Sequence, residues 1–216
     1  MTEPKTSSLT KGRMEALSDG VFAIAMTLLA FQLANPALAA AKSEEQLVWA
    51  LRLLWVVFVS YVVSFLALGL YWCSHHALAS FLERMDTRQL WLNLFFLFCI
   101  SLIPFSAAML GEKFGLRSAA VIYGCNLSAT SLIIFLSWRG ALDHRHLMPS
   151  EFNPAIRAYI YKLHLGMTVI YLGAAAAAFL NPVVSFWAYV LIALFHLVLQ
   201  LLNPITERPS RVLSKS

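Results

Sequence analysis

The chain has 216 residues, of which 60% are hydrophobic and only 12% are charged. A soluble domain of this length cannot bury that much apolar surface, so the composition excludes a water-soluble protein. The formal net charge is +5, but the basic segments lack the interleaved aromatic residues of a nucleic-acid surface, and no nucleic-acid partner is expected.

Long uncharged runs show where the apolar residues lie. Each run is long enough to cross about 30 Å of hydrocarbon, which takes about 20 helical residues. Asn181-Pro182, a turn signal, divides the last run near its middle. The runs are apolar on every face, unlike the alternating strands of an outer-membrane barrel. The pattern predicts an all-α, polytopic membrane protein with six transmembrane helices. The uncharged runs are residues 20–41, 53–82, 89–111, 118–138 and 163–206.

The predicted helices follow these runs in chain order. Asn35-Pro36 ends the first helix, and Pro104 lies inside the third. The second is longer than one crossing needs, so we expect it to tilt or to project into the cytoplasm. A six-helix transmembrane channel domain over residues 13–203 is predicted between an N-terminal tail, 1–12, and a C-terminal tail, 204–216. The six predicted helices cover residues 14–34, 45–81, 88–110, 116–138, 155–180 and 183–202.

The basic residues predict how the chain is oriented. Of the 16 Lys and Arg, 12 fall in the N-terminal segment, the second-to-third and fourth-to-fifth connections and the C-terminal tail. Segments rich in Lys and Arg stay on the cytoplasmic side of a membrane. We therefore expect a multi-pass protein of the cell membrane with both termini in the cytoplasm.

The start of the first predicted helix carries an unusual group of charges, Arg13, Glu15 and Asp19. Glu15 and Asp19 are four residues apart on one helix face, which is repulsive unless a cation or proton lies nearby. Charges beside a membrane span are costly and suggest function. The simpler interpretation is that acidic residues favour a helix N-terminus, with Ser18 or Asp19 as the cap. The concentration of charge ahead of a long uncharged run favours the functional interpretation.

Two neighbouring stripes continue along this helix at three-four spacing. The small stripe should be buried against a neighbouring helix, because small residues let helix backbones approach closely. The bulky stripe could face lipid, or it could face a symmetry axis shared with copies of the chain. The small stripe is Ala16, Gly20, Ala23, Thr27, Ala30 and Ala34, and the bulky stripe is Leu17, Val21, Ile24, Leu28 and Phe31.

The cysteines and several histidines do not suggest a metal site. The cysteines have no CxxC spacing, and we expect their thiols to be buried as small apolar groups. The charged cluster at residues 143–146 is expected to be a solvated loop, while His164 and His196 are isolated in the last two helices. No metal or other cofactor is expected. The three cysteines are Cys73, Cys99 and Cys125.

The first helix also carries a recognisable motif. Residues 13–20, RMEALSDG, resemble the first-helix signature R-x-x-x-F-S-D-G of the transmembrane protein 175 family, the lysosomal and prokaryotic potassium channels. The segment from Trp72 to His76 resembles the family's W-x-x-H-H, and Leu92-Asn93-Leu94 with residues 102–105 resembles its third helix. Leu17 stands where the family usually has Phe, which removes an aromatic contact but no charge. The resemblance is clear over the first three helices.

This resemblance implies a potassium channel of four identical chains around a central pore lined by the first helix. Ile24 would form the narrowest apolar ring, Leu28 and Phe31 further rings, and Thr27 would contribute to selectivity for K⁺ as the permeant ion. A helix-1 packing network would join the two helices, with His76 hydrogen-bonded to Asp19 and His75 the weaker candidate. The implied members of that network are Arg13, Ser18, Asp19, Trp72 and His76.

Three other function classes stay open from the residues alone. A proton- or cation-coupled secondary transporter could use Glu15, Asp19 and His76 as a relay. A membrane enzyme is not expected, because the chain has no HExxH or GxSxG motif. A structural scaffold would leave the charged start of the first helix unexplained.

Overall fold

The computed structural model describes residues 6–83, 85–143, 147 and 154–202, and every regular element in those ranges is helical. Six helices there are long and apolar enough to cross a membrane, which confirms the predicted class. These six are α1 and α4 to α8, with a short 3₁₀ segment after α1 and two shorter helices, α2 and α3, before α4. The elements are α1 (Thr6–Leu29), the 3₁₀ segment (Ala30–Leu33), α2 (Pro36–Ala40), α3 (Glu44–Leu53), α4 (Trp55–Phe81), α5 (Thr87–Glu112), α6 (Arg117–Asp143), α7 (Pro154–Ala177) and α8 (Pro182–Leu202).

The first helix is longer than its uncharged run. It begins at Thr6, inside the segment that hydropathy assigns to a tail, because a helix satisfies its own backbone hydrogen bonds in water as well as in lipid. It tightens into the 3₁₀ segment and ends at Ala34, which is extended. Asn35 then caps α2 by accepting a hydrogen bond from the Ala37 amide at 2.8 Å. The predicted end at Asn35-Pro36 is therefore confirmed.

The second predicted helix is two helices, and the prediction of one long helix projecting into the cytoplasm is wrong. Ser43 caps α3, accepting from the Gln46 amide at 3.3 Å. The helix is interrupted at Leu54, whose amide is shared between the carbonyls of Ala50 and Leu51. α3 carries charges and is mostly exposed, whereas α4 begins where the uncharged run begins. The break separates a helix that needs water on one face from one that can enter lipid.

Contacts between helices give their order around the bundle. α1 packs on α4 and α5, which also pack directly on each other. Around the outside, α4 packs on α8, α8 on α7, α7 on α6, and α6 on α5. The perimeter therefore reads α1, α4, α8, α7, α6, α5 and back to α1. α1 is flanked by α4 on one side and α5 on the other. Only 22% of the most apolar stretch of α1 is buried within the chain, against 50% for the corresponding stretches of α4 and of α6.

Close approach of small residues holds α6, α7 and α8 together. A Cβ atom at Gly124 of α6 would lie 2.1 Å from the Tyr189 hydroxyl and 2.7 Å from the Cβ of Ala175. The Tyr189 hydroxyl uses that space to donate to the Ala120 carbonyl at 2.8 Å. We call α6, α7 and α8 the frame. These three helices pack tightly on one another, whereas α1 packs on α4 and α5.

Candidate functional site

The inward side of α1 is a third stripe that neither sequence stripe contains. Met14, Ser18, Phe22, Ala25 and Leu29 are all buried, and they pack α1 against α4 and α5. Phe22 lies against Phe96 of α5, with ring centroids 5.9 Å apart. In lipid, such contacts are stabilised by van der Waals packing between the helices and not by removal of apolar surface from water.

The small stripe is not buried by the described helices of the chain, so its burial against a neighbouring helix stays a prediction. All six of its residues are exposed. A Cβ atom at Gly20 would meet no atom within 4 Å. Any helix that packs on the small stripe must come from outside the chain.

The bulky stripe is also on the surface of the single chain. Ile24 is 60% exposed, Leu28 44% and Phe31 72%, whereas Val21 is partly buried. Phe31 lies in the 3₁₀ segment, yet it keeps the exposed side of the helix. We call the combined exposed surface the open face of α1. It consists of Ala16, Leu17, Gly20, Ala23, Ile24, Thr27, Leu28, Ala30 and Phe31.

Thr27 lies on the open face, and its hydroxyl proton is donated to a backbone carbonyl of the same helix. The hydroxyl donates to the Ile24 carbonyl at 2.8 Å and is 3.1 Å from the Ala23 carbonyl. Such back-bonding is common for Thr in helices. The lone pairs of the oxygen remain available to a ligand on the exposed side, and a cation needs only such lone pairs.

Asp19 is held by the indole of Trp72. The Trp72 Nε1–H donates to the Asp19 Oδ1 at 3.0 Å. The Trp72 ring stacks on His76, with centroids 5.3 Å apart and planes 19° from parallel. The structure thus brings Asp19, Trp72 and His76 together, but the hydrogen bond to Asp19 comes from the indole and not from His76.

The histidine that joins the helices is His75, and the preference for His76 is wrong. Its Nε2 lies 2.6 Å from the Asn93 Oδ1 and 3.5 Å from the Ser18 hydroxyl. The Asn93 amide also donates to the Ser18 oxygen at 3.3 Å. The His75 ring stacks on Phe96 at 5.5 Å, with the planes 6° from parallel. One small network therefore connects α1, α4 and α5.

Helix spacing explains which histidine faces inward. Tyr71, His75 and Leu78 are separated by four and three residues, and Tyr71 and Leu78 are buried. Trp72 and His76 form the next row, and both are exposed. The uncharged run around this pair has no obvious polar side in sequence, so the choice required the position of α5.

The N-terminal part of α1 is tied to the end of α4 by a contact that sequence reasoning missed. Lys11 Nζ donates to the Leu82 carbonyl at 2.6 Å and lies 3.9 Å from Glu15. The last carbonyls of a helix have no partner within it and attract basic side chains. Arg13 is exposed and forms no hydrogen bond or ion pair with Ser18, Asp19, Trp72 or His76, all of which the structure describes.

A surface cleft of about 140 Å³ lies beside this network. It combines two carboxylates and two imidazoles, a set suited to water, a hydrated cation or a proton. Among the residues that the structure describes, no three His, Cys, Asp or Glu side chains are arranged to hold a metal ion. The cleft is lined by Glu15, Asp19, His75, His76, Ala79 and Ser80.

Two other sequence expectations need correction. His164 is not isolated, because its Nε2 is 2.9 Å from the Ser74 hydroxyl and its ring stacks on Trp138. His196 is buried, and its Nε2 has no hydrogen-bond partner in the described part of the chain. Of the three cysteines, only Cys99 is buried, Cys73 is partly exposed and Cys125 is exposed.

The predicted solvated loop can be followed only at its edge. Asp143 is exposed. It pairs with Arg157 at 2.5 Å and accepts a hydrogen bond from the Tyr161 hydroxyl at 3.2 Å. It therefore fastens the end of α6 to the start of α7. Residues 144–146 lie outside the described ranges.

Comparison with known proteins identifies the family. Residues 13–104 match the family described as endosomal/lysosomal potassium channel TMEM175. A potassium channel of Streptomyces collinus is 34% identical over 190 residues, 86% of this chain and 90% of that protein. The endosomal/lysosomal proton channel TMEM175 of Gallus gallus is 31% identical over 146 residues, 63% of this chain and 29% of that protein.

A solved structure agrees over most of the chain. The crystal structure of a lysosomal potassium-selective channel TMEM175 homolog from Chamaesiphon minutus superposes with a TM-score of 0.75 at 28% identity. The superposition covers 88% of this chain and 97% of that chain. The six-helix fold and these similarities show that the chain belongs to the TMEM175 family, whose members are ion channels and not enzymes.

Proposed function

We propose that the chain is a subunit of a potassium channel in which the open face of α1 lines a conduit shared by four copies. The observation that carries the proposal is that α1, the least buried of the six membrane helices, exposes the whole small stripe and the bulky stripe apart from Val21. A small stripe beside a bulky one suits close contact with identical helices around an axis. The similarity to proteins named potassium channels supplies the ion.

The gate in this proposal is apolar. Ile24 forms the narrowest ring, with Leu28 and Phe31 as further rings, and the barrier extends about 10 Å along the helix at 1.5 Å per residue. A cation cannot give up its hydration shell where no dipole replaces it, so a narrow apolar ring closes by losing its water. Opening requires α1 to rotate or spread.

Selectivity for K⁺ over Na⁺ is modest in this proposal. The chain has no TVGYG segment, so a ladder of backbone carbonyls is not the source of selectivity. Thr27 lies beside Ile24 with free lone pairs, as its hydroxyl proton is bonded to a carbonyl. Four such oxygens would offer a partial replacement for the hydration shell of the larger and more weakly hydrated ion.

The network around Ser18 and Asp19 sets the rotation of α1 and hence which residues reach the axis. Trp72 holds Asp19 from α4, and Asn93 holds Ser18 from α5. Both contacts lie about one and a half helical turns from Ile24. By the distribution of Lys and Arg, this end of the channel faces the cytoplasm of a cell membrane.

Current recording tests the proposal most directly. Purified protein in a planar bilayer, with KCl on one side and NaCl on the other, should carry a current whose reversal potential is displaced towards the equilibrium potential of K⁺. Adding a pH gradient at symmetric KCl measures proton permeation separately. The absence of current, or a reversal potential near zero under the K⁺/Na⁺ gradient, would contradict a potassium-selective channel.

A coupled transporter is the second candidate, because the cleft places Glu15 and Asp19 beside His75 and His76. It predicts a saturable flux of cations into liposomes that requires a proton gradient and no unitary currents. Asp19→Asn should abolish such coupling, since an amide cannot release a proton. A diffusive current that survives collapse of the proton gradient would rule the transporter out.

A further inference from the structure

The exposed surfaces of α4 and α5 differ in kind from those of the other peripheral helices. Of the large apolar side chains that are exposed on α4, four of five are aromatic, and on α5 four of six are aromatic. Of the fifteen described on α6, α7 and α8, only Trp187 and Phe195 are aromatic. Acyl chains have no preference for such rings at mid-membrane depth, whereas aromatic residues dominate the packed centres of protein interfaces.

The exposed residues on both helices also follow a regular seam, and on α4 the half-buried Gly69 falls in the same row. Their spacing alternates between three and four, which is the spacing by which one helix packs lengthwise along another. We call these rows the α4 stripe and the α5 stripe. The α4 stripe is Trp55, Phe58, Val62, Phe65, Gly69, Trp72 and His76, and the α5 stripe is Trp91, Phe95, Phe98, Leu102 and Phe105.

The two stripes lie on opposite sides of α1. In the perimeter order α4 and α5 are the two neighbours of α1. When copies are arranged in a ring with α1 at the centre, the α4 side of one copy meets the α5 side of the next. Such a contact is heterologous, and repetition by a closed rotation gives a ring.

Contacts within one chain fix the depth of each residue. The Ser60 hydroxyl donates to the Ala107 carbonyl at 2.8 Å, and the rings of Tyr71 and Phe96 touch at 6.3 Å. α4 and α5 run in opposite directions. A residue two positions before Tyr71 is therefore at the same depth as a residue two positions after Phe96. Gly69 is therefore level with Phe98.

The same register makes the rest of the stripes level. Phe65 is level with Leu102, and Trp72 is level with Phe95, because each pair is displaced equally from Tyr71 and Phe96. Copies related by rotation about the membrane normal lie at one depth. Level residues in one chain are thus also level across the junction between two chains.

Gly69 and Phe98 are complementary in shape. A Cβ atom at Gly69 would meet nothing within 4 Å, so the glycine leaves a notch in the aromatic α4 stripe. Phe98 is 61% exposed and projects from the middle of the α5 stripe. A phenyl ring fits where a neighbouring side chain is missing.

We propose that the α4 stripe of one copy packs against the α5 stripe of the next copy, with Phe98 seated on Gly69. The proposal rests on the proposed function, which puts α1 at a shared axis, and it names the surface that forms the subunit junction. It is continuous with the open face of α1, because Trp72 of the α4 stripe bonds to Asp19 of α1.

The test compares Gly69→Leu with a matched control, Gly173→Leu. Gly173 is an exposed glycine of α7 where a Cβ atom also meets nothing within 4 Å, so the single chain has open space at the start of a new side chain at both positions. The mass of each protein in detergent is measured by light scattering over a dilution series. Gly69→Leu should lower the ratio of oligomer to monomer at least tenfold, while Gly173→Leu should match the wild type.

A compensating variant separates a specific junction from a general loss of stability. Phe98→Ala removes the ring that would clash with the new leucine, so Gly69→Leu with Phe98→Ala should recover at least half of the oligomer. Phe195→Ala, on α8, is the control for removing an exposed ring and should not rescue Gly69→Leu. Failure of Phe98→Ala to restore assembly would overturn the pairing of these two residues.

The outcomes also distinguish this proposal from the proposed function. A wild type that is monomeric at all concentrations and carries no current would refute the shared pore itself. A wild-type oligomer that Gly69→Leu leaves intact would refute only the junction and would assign the two stripes to lipid. Circular dichroism of every variant confirms that helix content is retained.

Discussion

The two halves of the bundle satisfy their surfaces in different ways. α6, α7 and α8 meet through glycine, alanine and tyrosine contacts within one chain, and half of the most apolar stretch of α6 is buried. α1 shows the opposite pattern, with a buried inner stripe and an open face that the chain itself does not cover. The inner stripe fixes the rotation of α1, and the open face stays available for the proposed contact with other copies.

The largest effect is expected for a substitution in the frame of α6, α7 and α8. Gly124→Leu places a side chain where even a Cβ atom is 2.1 Å from the Tyr189 hydroxyl. We expect a loss of about 3 kcal/mol or more in stability, the upper range of overpacking effects. Thermal unfolding in detergent measures it, with Gly173→Leu as the control at an open site. Equal melting temperatures for the two variants would show that the frame is not tightly packed.

The open face is tested by making it wettable. Ile24→Asn puts an amide on the ring that is proposed to exclude water, and basal current should rise about tenfold, which is a barrier lowered by about 1.4 kcal/mol. Ile24→Val keeps the ring apolar and should leave the closed state intact. Currents for Ile24→Asn that equal those of the wild type would show that Ile24 is not the gate.

The inner side of α1 is tested by the histidine pair. His75→Ala removes the hydrogen bond to the Asn93 Oδ1 and the stacking contact with Phe96, and it should cost about 2 kcal/mol. His76→Ala loses only a stacking contact on an exposed surface and should stay within about 0.5 kcal/mol. Denaturation in detergent compares the two proteins. The reverse order would restore the role that the sequence assigned to His76.

The bond between Asp19 and Trp72 is tested by a double-mutant cycle. Asp19→Ala and Trp72→Phe each remove it, and the coupling between them should be about 1 kcal/mol, as is usual for hydrogen bonds between membrane helices. We also expect Asp19→Ala to impair gating, because the bond fixes the rotation of α1. Additive effects together with normal currents would reduce the acidic cluster to a helix cap.

The smallest expected effect is on selectivity. Thr27→Val keeps the shape of the side chain and removes its oxygen, so the permeability ratio of K⁺ to Na⁺ should fall about threefold, less than the tenfold that corresponds to about 1.4 kcal/mol. Thr27→Ser retains the oxygen and should retain the ratio. Reversal potentials under the K⁺/Na⁺ gradient provide the measurement, and an unchanged ratio in Thr27→Val would move selectivity elsewhere.

Hydropathy predicted the six spans because water excludes long uncharged helices whatever their partners are. It did not predict the break at Leu54 or the start of α1 at Thr6. Thr6 lies outside the uncharged runs and Leu54 lies at the start of one, so hydropathy carries no information about helix boundaries there. The two stripes of α1 were recognised as separate surfaces, but the row that the chain itself buries, which includes Phe22, was not. Periodicity shows which residues share a face and does not show which face a neighbour covers.

The sequence by itself therefore determined the helical membrane class, the number of spans and the residues that share each side of α1. Only the tertiary structure decided that Phe22 and its row face inward, that His75 reaches Ser18 and Asn93, and that Trp72 bonds to Asp19. The physical reason is that lipid solvation acts on each helix separately, whereas rotation about the helix axis depends on the shapes and hydrogen-bonding groups of the helices beside it.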